Sequence, residues 1–408
     1  MRTNKAHLTY CTNIHSGESW AEHFLALQQH FPAIKKQVSP LEPMGIGLRL
    51  SHIASLELIK EENLTSFKVW LTSNQAYVFT MNGFPYGEFH HTRVKDHVHT
   101  PDWLTNERVE YTLRLFRILK ALLPEGMDGG ISTSPLSYRH WFGHSPDDAL
   151  IQAKKKATRN ILKVVEQLIL INQATSQVLH LDIEPEPDGL LETGEEFIEW
   201  FESYLVPIGT SWIMEKFAVN QSEAEMMLKD HVRLCYDICH FAIGYEMHAE
   251  VINQLQRKGI KIGKIQISAA LKAQMSADSS GRKDIYETFS GFNESTYLHQ
   301  VVARKEDGSL LRYRDLPDAL NDVENAQVEE WRAHFHVPVF LENFGCLQST
   351  RNDIIEVLTI QNANWLTQHL EVETYTWEVL PEALKLPLQE SIIRELQWVK
   401  KSLFQGTL

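Results

Sequence analysis

The 408-residue sequence predicts one α/β domain, a (β/α)₈ barrel of the TIM type, and three observations favour this fold. Short strand-like runs alternate with longer segments of helical periodicity, which indicates a parallel sheet covered by helices. Polar and ionisable residues stand at the C-terminal ends of many different runs, as the active face of a closed barrel requires. Neither a G-x-G-x-x-G motif nor a Walker loop occurs, which argues against an open, doubly wound nucleotide-binding sheet.

Nine runs have the length and composition of strands, one more than a barrel needs. Between them, helical segments begin at residues that favour helix caps, namely Ser19, Thr193 and Ser222. In chain order, the nine candidate strands span residues 7–15, 45–52, 76–83, 129–135, 178–189, 231–240, 262–268, 333–340 and 369–377.

The chain is predicted to form a single domain with insertions. Asp307-Gly308 is typical of a hairpin turn, so we expect a β-hairpin insertion near residues 297–316, outside the barrel. No internal repeat or linker-like stretch divides the chain. We therefore expect the barrel to occupy residues 1–380 and a C-terminal helical extension to occupy residues 381–408.

Composition limits the classes of partner. Lys and Arg number 39 against 53 Asp and Glu, which gives a net charge of −14 with neutral His. No basic stripe offsets this charge, so we expect no nucleic-acid partner. No run approaches about 18 apolar residues, so we expect no transmembrane segment. Because the N-terminal segment also lacks an apolar signal region, we expect a cytoplasmic location.

The four cysteines form no C-x-x-C pair, whereas 19 histidines supply many candidate ligands.

The run "LDIEPEPDG" carries the strongest chemical signal. Strand alternation puts Asp182 and Glu184 on one face, and two prolines hold Glu186 close behind the strand end. A carboxylate fixed at a rigid strand end suits a hard divalent cation, which prefers oxygen ligands. The alternative is a solvated acidic loop.

The next two runs repeat this arrangement. In "CYDICHF", Asp237 points toward the predicted barrel interior, and His240 follows on the loop or first helical turn, able to bind the same metal or a substrate oxygen. In "KIQIS", Gln266 is a candidate neutral ligand or hydroxyl-recognition group. A capping Asp, a packed His and a Gln bonded to loop backbone are the alternatives.

Two later runs add histidines and carboxylates. "HFHVP" offers His334 and His336 at strand spacing, so both rings would project to one side as metal ligands or as packed side chains. "HLEVETYTW" puts Glu371 and Glu373 on one face, where two buried carboxylates need a cation or an arginine. Glu373, nearer the C-terminal end, is the preferred ligand.

Candidate substrate contacts come from the N-terminal part. His15 stands with Asn13 at the end of the first run. The loop that follows the third run is rich in turn and aromatic residues, which favours a substrate-covering loop over disorder. A decorated surface loop is the alternative. Its candidate residues are Asn82, Tyr86, His90, His91, Lys95, His97 and His99.

Taken together, several long motifs resemble the EboE family, the metabolite-traffic proteins of the ebo gene cluster. They are "LTYCTNIHSGESW", "NGFPYGEFH", "VKDHVHTPDW", "ISTSPLSY", "LDIEPEPDGLLET", "YLHQVV", "HFHVPVF" and "LEVETYTWEVLP", and they extend from about residue 8 to about residue 380. This resemblance implies a xylose-isomerase-like TIM barrel, related to sugar isomerases, ketose epimerases and endonuclease IV-type nucleases.

The resemblance also implies a metal site at the ends of strands five to eight. Carried over to this chain, its ligands are Glu184, Asp237, Gln266 and Glu373, with His240 three residues after Asp237. The metal would be Mn, Zn, Mg or Co. The candidate catalytic residues are Glu184, Glu373, Glu186 and His240, and the candidate substrate-binding residues are His15, Asn82, Lys95 and His336.

Two departures from the superfamily pattern affect the expected chemistry. Xylose isomerases have E-P-K-P after strand five, where the lysine assists hydride transfer, but this chain presents Glu186 in its place. A carboxylate cannot supply that positive charge, although it can act as a proton-transferring base. Gln266 replaces a His or an acid, and His336 would take that role if "HFHVP" is the seventh strand.

The resemblance implies a role in moving a secondary-metabolite precursor from cytoplasm to periplasm, with other ebo-cluster products as possible partners. We therefore expect a divalent-metal-dependent isomerase- or epimerase-like protein that acts on a polyhydroxy compound or metabolite precursor. The alternative is a non-catalytic metabolite-binding or carrier component of a transport system. Cleavage of abasic DNA conflicts with the net charge of −14.

Overall fold

A parallel β-barrel forms the centre of the computed structural model, which describes every residue except 4–5, 89–93, 144–146, 379, 381–384, 386 and 406–408. Neighbouring strands pair in the order β1-β8-β7-β6-β5-β4-β3-β2, all parallel, and this confirms the predicted (β/α)₈ barrel. The strands are β1 (Ala6–Tyr10), β2 (Met44–Arg49), β3 (Ala76–Asn82), β4 (Gly129–Thr133), β5 (Leu179–Ile183), β6 (Val232–Asp237), β7 (Ile262–Ile267) and β8 (His369–Val372).

The barrel closes between β1 and β2, where a side-chain hydroxyl supplements the backbone. Thr9 Oγ1 donates to the Gly45 carbonyl at 2.9 Å and accepts from the Gly47 amide at 3.1 Å. One isolated parallel bridge, between Cys11 and Gly47, adds backbone pairing. The eight strands therefore form a ring with one seam that depends on a threonine.

Helices flank the barrel strands. Ser19 and Thr193 cap the helices that follow them, as predicted. Asn220, not Ser222, caps the next helix, because its Oδ1 accepts the Glu223 amide at 3.0 Å while the Glu223 carboxylate accepts the Asn220 amide. The α-helices are Trp20–Val38, His52–Leu58, Glu61–Ser73, Asn106–Leu122, Asp147–Thr175, Gly194–Trp200, Val206–Phe217, Gln221–His231, Ile238–Ile243, His248–Arg257, Ser279–Ser290, Leu316–Asn321, Arg351–Asn364 and Leu388–Gln405.

No helix in the described part of the chain has both the length and the apolar character needed to cross a bilayer. The helix Leu388–Gln405 falls within the predicted C-terminal extension. Several residues around position 380 lie outside the described part, so the boundary between 1–380 and 381–408 stays a prediction.

A second sheet, antiparallel and six-stranded, lies between β7 and β8 in the chain. The sequence predicted only one hairpin of it. That hairpin turns at Gly308, whose φ of 81° is a conformation that glycine adopts without steric cost. In order of pairing, the strands are Leu310–Tyr313, Val301–Lys305, Val328–Ala333, Leu271–Gln274, Leu347–Ser349 and Asn343–Phe344.

The run over residues 333–340 is not a barrel strand, and its placement as a possible seventh strand was wrong. Ala333 ends a strand of the second sheet, and residues 334–340 have no strand structure. Pro338 lacks an amide donor, and the Val337 amide donates to the Ala269 carbonyl at 3.0 Å, just beyond β7. The segment therefore returns from the second sheet to the end of the barrel.

An ion pair occupies the barrel interior. Lys264 on β7 and Glu371 on β8 are fully buried and lie 2.7 Å apart. Lys264 Nζ also donates to the Met81 carbonyl at 3.1 Å and to Ser132 Oγ at 3.2 Å, so all three of its protons have acceptors. Burial alone lowers the pKa of a lysine, but Glu371 raises the pKa of Lys264 above its ordinary value. Lys264 therefore stays charged.

Glycines on neighbouring strands make room for the interior carboxylates. A Cβ on Gly47 would lie 2.0 Å from Glu371 Oε1, and a Cβ on Gly263 would lie 1.9 Å from Asp182 Oδ1. Both contacts are far shorter than close packing permits, so a larger residue would displace the acid. The polar interior thus constrains the strands beside it.

Replacing Lys264 by Met should destabilise the protein by about 3–5 kcal/mol, because the Glu371 carboxylate would stay buried without its cation. Urea unfolding measures the change. As a control, Lys283→Met removes an exposed partner of Glu287 and should cost about 0.5 kcal/mol or less. Lys264→Met with Glu371→Leu should be more stable than Lys264→Met alone, and a single variant as stable as the wild type would contradict the account.

Candidate metal centre at the mouth of the barrel

Three carboxylates from three strand ends converge at the C-terminal mouth of the barrel. Glu184 follows β5, Asp237 ends β6, and Glu373 follows β8. All three are buried, and one oxygen of each lies within 4.8 Å of the others. The structure therefore brings together three of the four residues that the sequence suggested as metal ligands.

Backbone and side-chain hydrogen bonds hold these acids in position. The Glu184 amide donates to the Thr133 carbonyl at 3.0 Å, which extends the ladder between β4 and β5 past the strand ends. Asp237 caps the helix Ile238–Ile243, since its Oδ1 accepts from the His240 amide at 3.2 Å and from Ser268 Oγ at 2.7 Å. Asp237 Oδ2 accepts no hydrogen bond within the described part of the chain.

Glu373 is oriented by two amides. Asn13 Nδ2 and Asn82 Nδ2 donate to its Oε1 at 2.9 and 2.7 Å. Asn82, predicted as a substrate contact, lines the mouth cavity but also holds this carboxylate. The second oxygen of Glu373, Oε2, is not bonded to these amides and faces the carboxylate cluster.

Two imidazoles next to the acids are fixed by hydrogen bonds from Nδ1 to backbone carbonyls. His240 Nδ1 lies 2.9 Å from the Pro185 carbonyl, and His336 Nδ1 lies 2.9 Å from the Glu373 carbonyl. Because a carbonyl only accepts, each Nδ1 carries the proton and each Nε2 is a base. His336 Nε2 lies 3.9 Å from Asp237 Oδ2. A histidine tied in this way is typical of a metal ligand.

His334, on the other side of His240, also has a protonated Nδ1 and a basic Nε2. Its Nδ1 lies 2.8 Å from Gln300 Oε1, which is fixed as the acceptor because Gln300 Nε2 donates to the Pro187 carbonyl. His334 Nε2 then faces His240 Nε2 at 3.1 Å. Two lone pairs at this distance repel unless a proton or a cation lies between them. The mouth therefore fits a bound cation.

The pKa shifts of these side chains also favour a bound cation. Burial, and then the other carboxylates, raise the pKa of Glu184 and of Glu373 well above the ordinary value. Burial also raises the pKa of Asp237, but His240 and His336 outweigh it, so that this pKa lies below its ordinary value. Burial lowers the pKa of His336 to about 4, so this imidazole is neutral at pH 7. A divalent cation would allow all three acids to ionise together.

Glu186 lines the cavity beside the carboxylate cluster. Its side chain is 12% exposed, its Oε2 accepts no hydrogen bond from a described residue, and this oxygen lies 3.8 Å from His99 Nε2. Burial, with Asp237 and Asp188 nearby, raises its pKa well above the ordinary value. Glu186 is therefore available for proton transfer.

Gln266 lies below the cluster and does not line the cavity. Its Oε1 accepts from Cys235 Sγ at 2.9 Å, and β-pairing sets it level with Glu371. Ser268, two residues later on the same face, reaches Asp237 instead. His336 occupies the place next to the acids, although it arrives from the second sheet and not from a barrel strand.

Two predicted substrate contacts lie away from the cavity. Lys95 Nζ pairs with Asp315 Oδ2 at 2.6 Å and so fastens its loop to the second sheet. His15 stacks on His30 with ring centroids 4.8 Å apart and borders a separate surface cleft. His90 and His91 lie outside the described residues.

The cavity above the acids is small, about 40 Å³. That volume holds a few waters, whereas pockets for small-molecule ligands measure about 300–1,000 Å³. The aromatic and apolar wall of this cavity was not predicted from the sequence, although Tyr375 continues the period-two pattern of Glu371 and Glu373. The wall residues are Phe84, Pro85, Val98 and Tyr375.

No protein-family model matches the chain, and no curated protein matches it. Among solved structures, a xylose isomerase-like TIM barrel protein from Mycobacterium smegmatis in complex with magnesium matches with a TM-score of 0.54 and 8% identity, over 100% of both chains. A xylose isomerase domain protein from Alicyclobacillus acidocaldarius has a TM-score of 0.46 and 10% identity over 99% of both chains. The IOLI protein with a binding zinc atom has a TM-score of 0.44 and 14% identity over 98% of both chains. The first match shows that the two proteins share the TIM-barrel fold.

Replacing Asp237 by Asn should weaken Mn²⁺ binding more than tenfold, about 1.4 kcal/mol, because the variant removes the charge next to His336. Isothermal titration calorimetry on chelator-treated protein measures the affinity. Asp230→Asn, an exposed change at the partner of Lys261, is the matched control and should bind as the wild type does. Equal affinity for all three proteins would place the Mn²⁺ site elsewhere.

Proposed function

We propose that this protein is a divalent-metal-dependent isomerase- or epimerase-like barrel that acts on a polyhydroxy compound. The convergence of Glu184, Asp237 and Glu373, with the base nitrogen of His336 beside them, carries the proposal. These four residues would hold Mn, Zn, Mg or Co. A solved barrel of the same fold contains magnesium, which keeps that ion among the candidates. When bound, the cation supplies Lewis acidity to adjacent substrate oxygens and so acidifies the neighbouring C–H bond.

Proton transfer in this proposal falls to Glu186. Its side chain lines the cavity, next to the site where substrate oxygens would sit, and its Oε2 accepts no hydrogen bond from a described residue. Glu186 stands where xylose isomerases have a lysine, and a carboxylate suits removal of a proton better than assistance to a hydride shift. His240, fixed by the Pro185 carbonyl, presents a second base on the same side. Glu184 and Glu373 are the alternative proton carriers.

Substrate entry requires rearrangement of the cavity wall. The volume of about 40 Å³ admits a metal with a few waters and excludes a sugar-sized molecule. Phe84, Pro85 and Val98 form one side of the cavity wall, so we infer that this part of the wall moves when substrate binds. Once closed, its apolar side chains would exclude bulk water from the reacting carbon.

The biological setting belongs to the same proposal. The motifs shared with the EboE family suggest a part in metabolite traffic, in the cytoplasm and together with other ebo-cluster products. A non-catalytic carrier is the second candidate, and the presence of Glu186 and Gln266 in place of the usual residues favours it. The two candidates differ in whether a C–H bond of the ligand is broken.

Deuterium incorporation separates the two candidates. Mn²⁺-loaded protein in D₂O, given a panel of aldoses and ketoses, should place deuterium next to the carbonyl of at least one of them, as mass spectrometry would show. Glu186→Gln should lower this exchange at least about 100-fold and leave Mn²⁺ affinity unchanged. Glu202→Gln, an exposed change, is the control. Isomerisation without deuterium uptake would favour a hydride shift, and no reaction across the panel would favour the carrier.

Metabolite export tests the EboE-type role. In a strain that lacks this gene, the wild-type chain should restore export, whereas Glu184→Ala with Asp237→Ala should not, because the metal site is lost. Immunoblotting must show equal amounts of both proteins. Full export with the double variant would contradict a role for the mouth site in traffic.

A further inference from the structure

A second cluster of metal-binding side chains lies at the opposite end of the barrel. Asp128 immediately precedes β4, His180 is the second residue of β5, and His369 is the first residue of β8. One ligand atom of each lies within 4.8 Å of the others. His180 and Glu184 are four residues apart on one strand, which separates the two ends by about 13 Å.

His180 presents a buried nitrogen without a donor or acceptor partner. Its Nδ1 lies 2.6 Å from Asp182 Oδ1, and the side chain is fully buried. Because an ionised carboxylate only accepts, Nδ1 carries a proton, and in the neutral ring Nε2 carries the lone pair. Nε2 makes no hydrogen bond to a described residue and faces Asp128 Oδ2 at 3.5 Å. In the neutral ring a lone pair therefore points at a carboxylate, which is unfavourable unless a proton or a metal cation lies between them.

His369 completes the cluster across the barrel. Its Nε2 lies 3.2 Å from Asp128 Oδ1, and its ring centroid lies 5.2 Å from that of His180. Its Nδ1 is buried and has no hydrogen-bond partner among the described residues. Each histidine therefore leaves one ring nitrogen unsatisfied, although buried polar atoms are nearly always bonded.

We propose that Asp128, His180 and His369 bind a transition-metal ion of the Zn²⁺ class at the N-terminal end of the barrel. Two imidazoles and one carboxylate are the ligand set that such borderline cations favour. Asp182 is the outer partner that fixes the His180 tautomer, as in carboxylate–histidine–zinc arrangements. Arg233 Nη1 donates to Asp128 Oδ2 at 2.9 Å, and Asp128 Oδ1 is hydrogen-bonded to His369 Nε2, so an ion would replace this second bond.

The strands around this cluster leave room for it, and solvent reaches it. A Cβ on Gly130 would lie 2.4 Å from His180 Cε1 and 2.5 Å from Asp182 Oδ2. Asp128 and Arg233 border a cleft of about 590 Å³ at this end of the barrel, which gives an ion a path from the surface.

An ion here would join β5 to β8, strands separated in the barrel by β6 and β7. Its expected role is structural, since this end of a TIM barrel serves stability.

The test uses a background in which the mouth site is removed. The Glu184→Gln/Asp237→Asn/His334→Gln protein lacks at least one member of each candidate metal group at the mouth. Treated with chelator and then with Zn²⁺, it should bind one zinc per chain by elemental analysis after gel filtration. Its Tm should also rise with Zn²⁺. Adding His180→Gln should abolish both effects. Adding His231→Gln, a buried histidine at the same end whose Nδ1 bonds to the Leu179 carbonyl, should preserve them.

Anomalous diffraction at the zinc edge on the wild-type chain, with no substitution, should give a peak between Asp128, His180 and His369. Absence of that peak in Zn²⁺-soaked crystals, or zinc binding that survives His180→Gln, would overturn the proposal. Failure of the mouth site to bind metal or to catalyse exchange would leave this result unchanged, because the background variant already lacks that site.

Discussion

Charge compensation inside the barrel is the constraint on which the rest of the structure depends. Strands β5 and β8 place ionisable side chains inward at every second residue, at levels about 6.6 Å apart, and β7 adds Lys264. In the middle, the Lys264 ammonium neutralises Glu371. At the two ends, carboxylates meet imidazoles instead. A barrel core of this kind is stable only where each charge has a partner, because a dry interior penalises an isolated ion heavily.

This constraint explains why the sequence predicted so much of the mouth site. Alternation along a strand determines which residues face inward, and parallel strands end at the same edge of a sheet. Glu184, Asp237 and Glu373 follow from these two rules, without knowledge of any contact. The eight barrel strands follow in the same way from the spacing of the runs.

The remaining differences arise from non-local contacts. "HFHVP" has the alternation of a strand, but local pattern cannot tell a barrel strand from a segment that returns from an inserted sheet. Lys95 is charged and lies in a loop beside the mouth, yet its partner is Asp315, 220 residues later. Gln266 faces the barrel interior as predicted, but it lies level with Glu371 and below the metal-binding carboxylates. Strand alternation predicts which way a side chain points but not its position along the barrel axis. The second sheet shows locally only as Asp307-Gly308.

The seam between β1 and β2 has a consequence for the motions of the barrel. Elsewhere neighbouring strands share several paired residues, whereas this junction has one isolated backbone bridge and the hydroxyls of Thr9 and Thr12. Amide hydrogen exchange at Gly47 should therefore be faster than at the centres of β5 and β6, since local openings begin where few cooperative bonds must break. The barrel would then open locally at this seam. Glu371, which packs against Gly47, would be the first interior charged residue to become exposed to water.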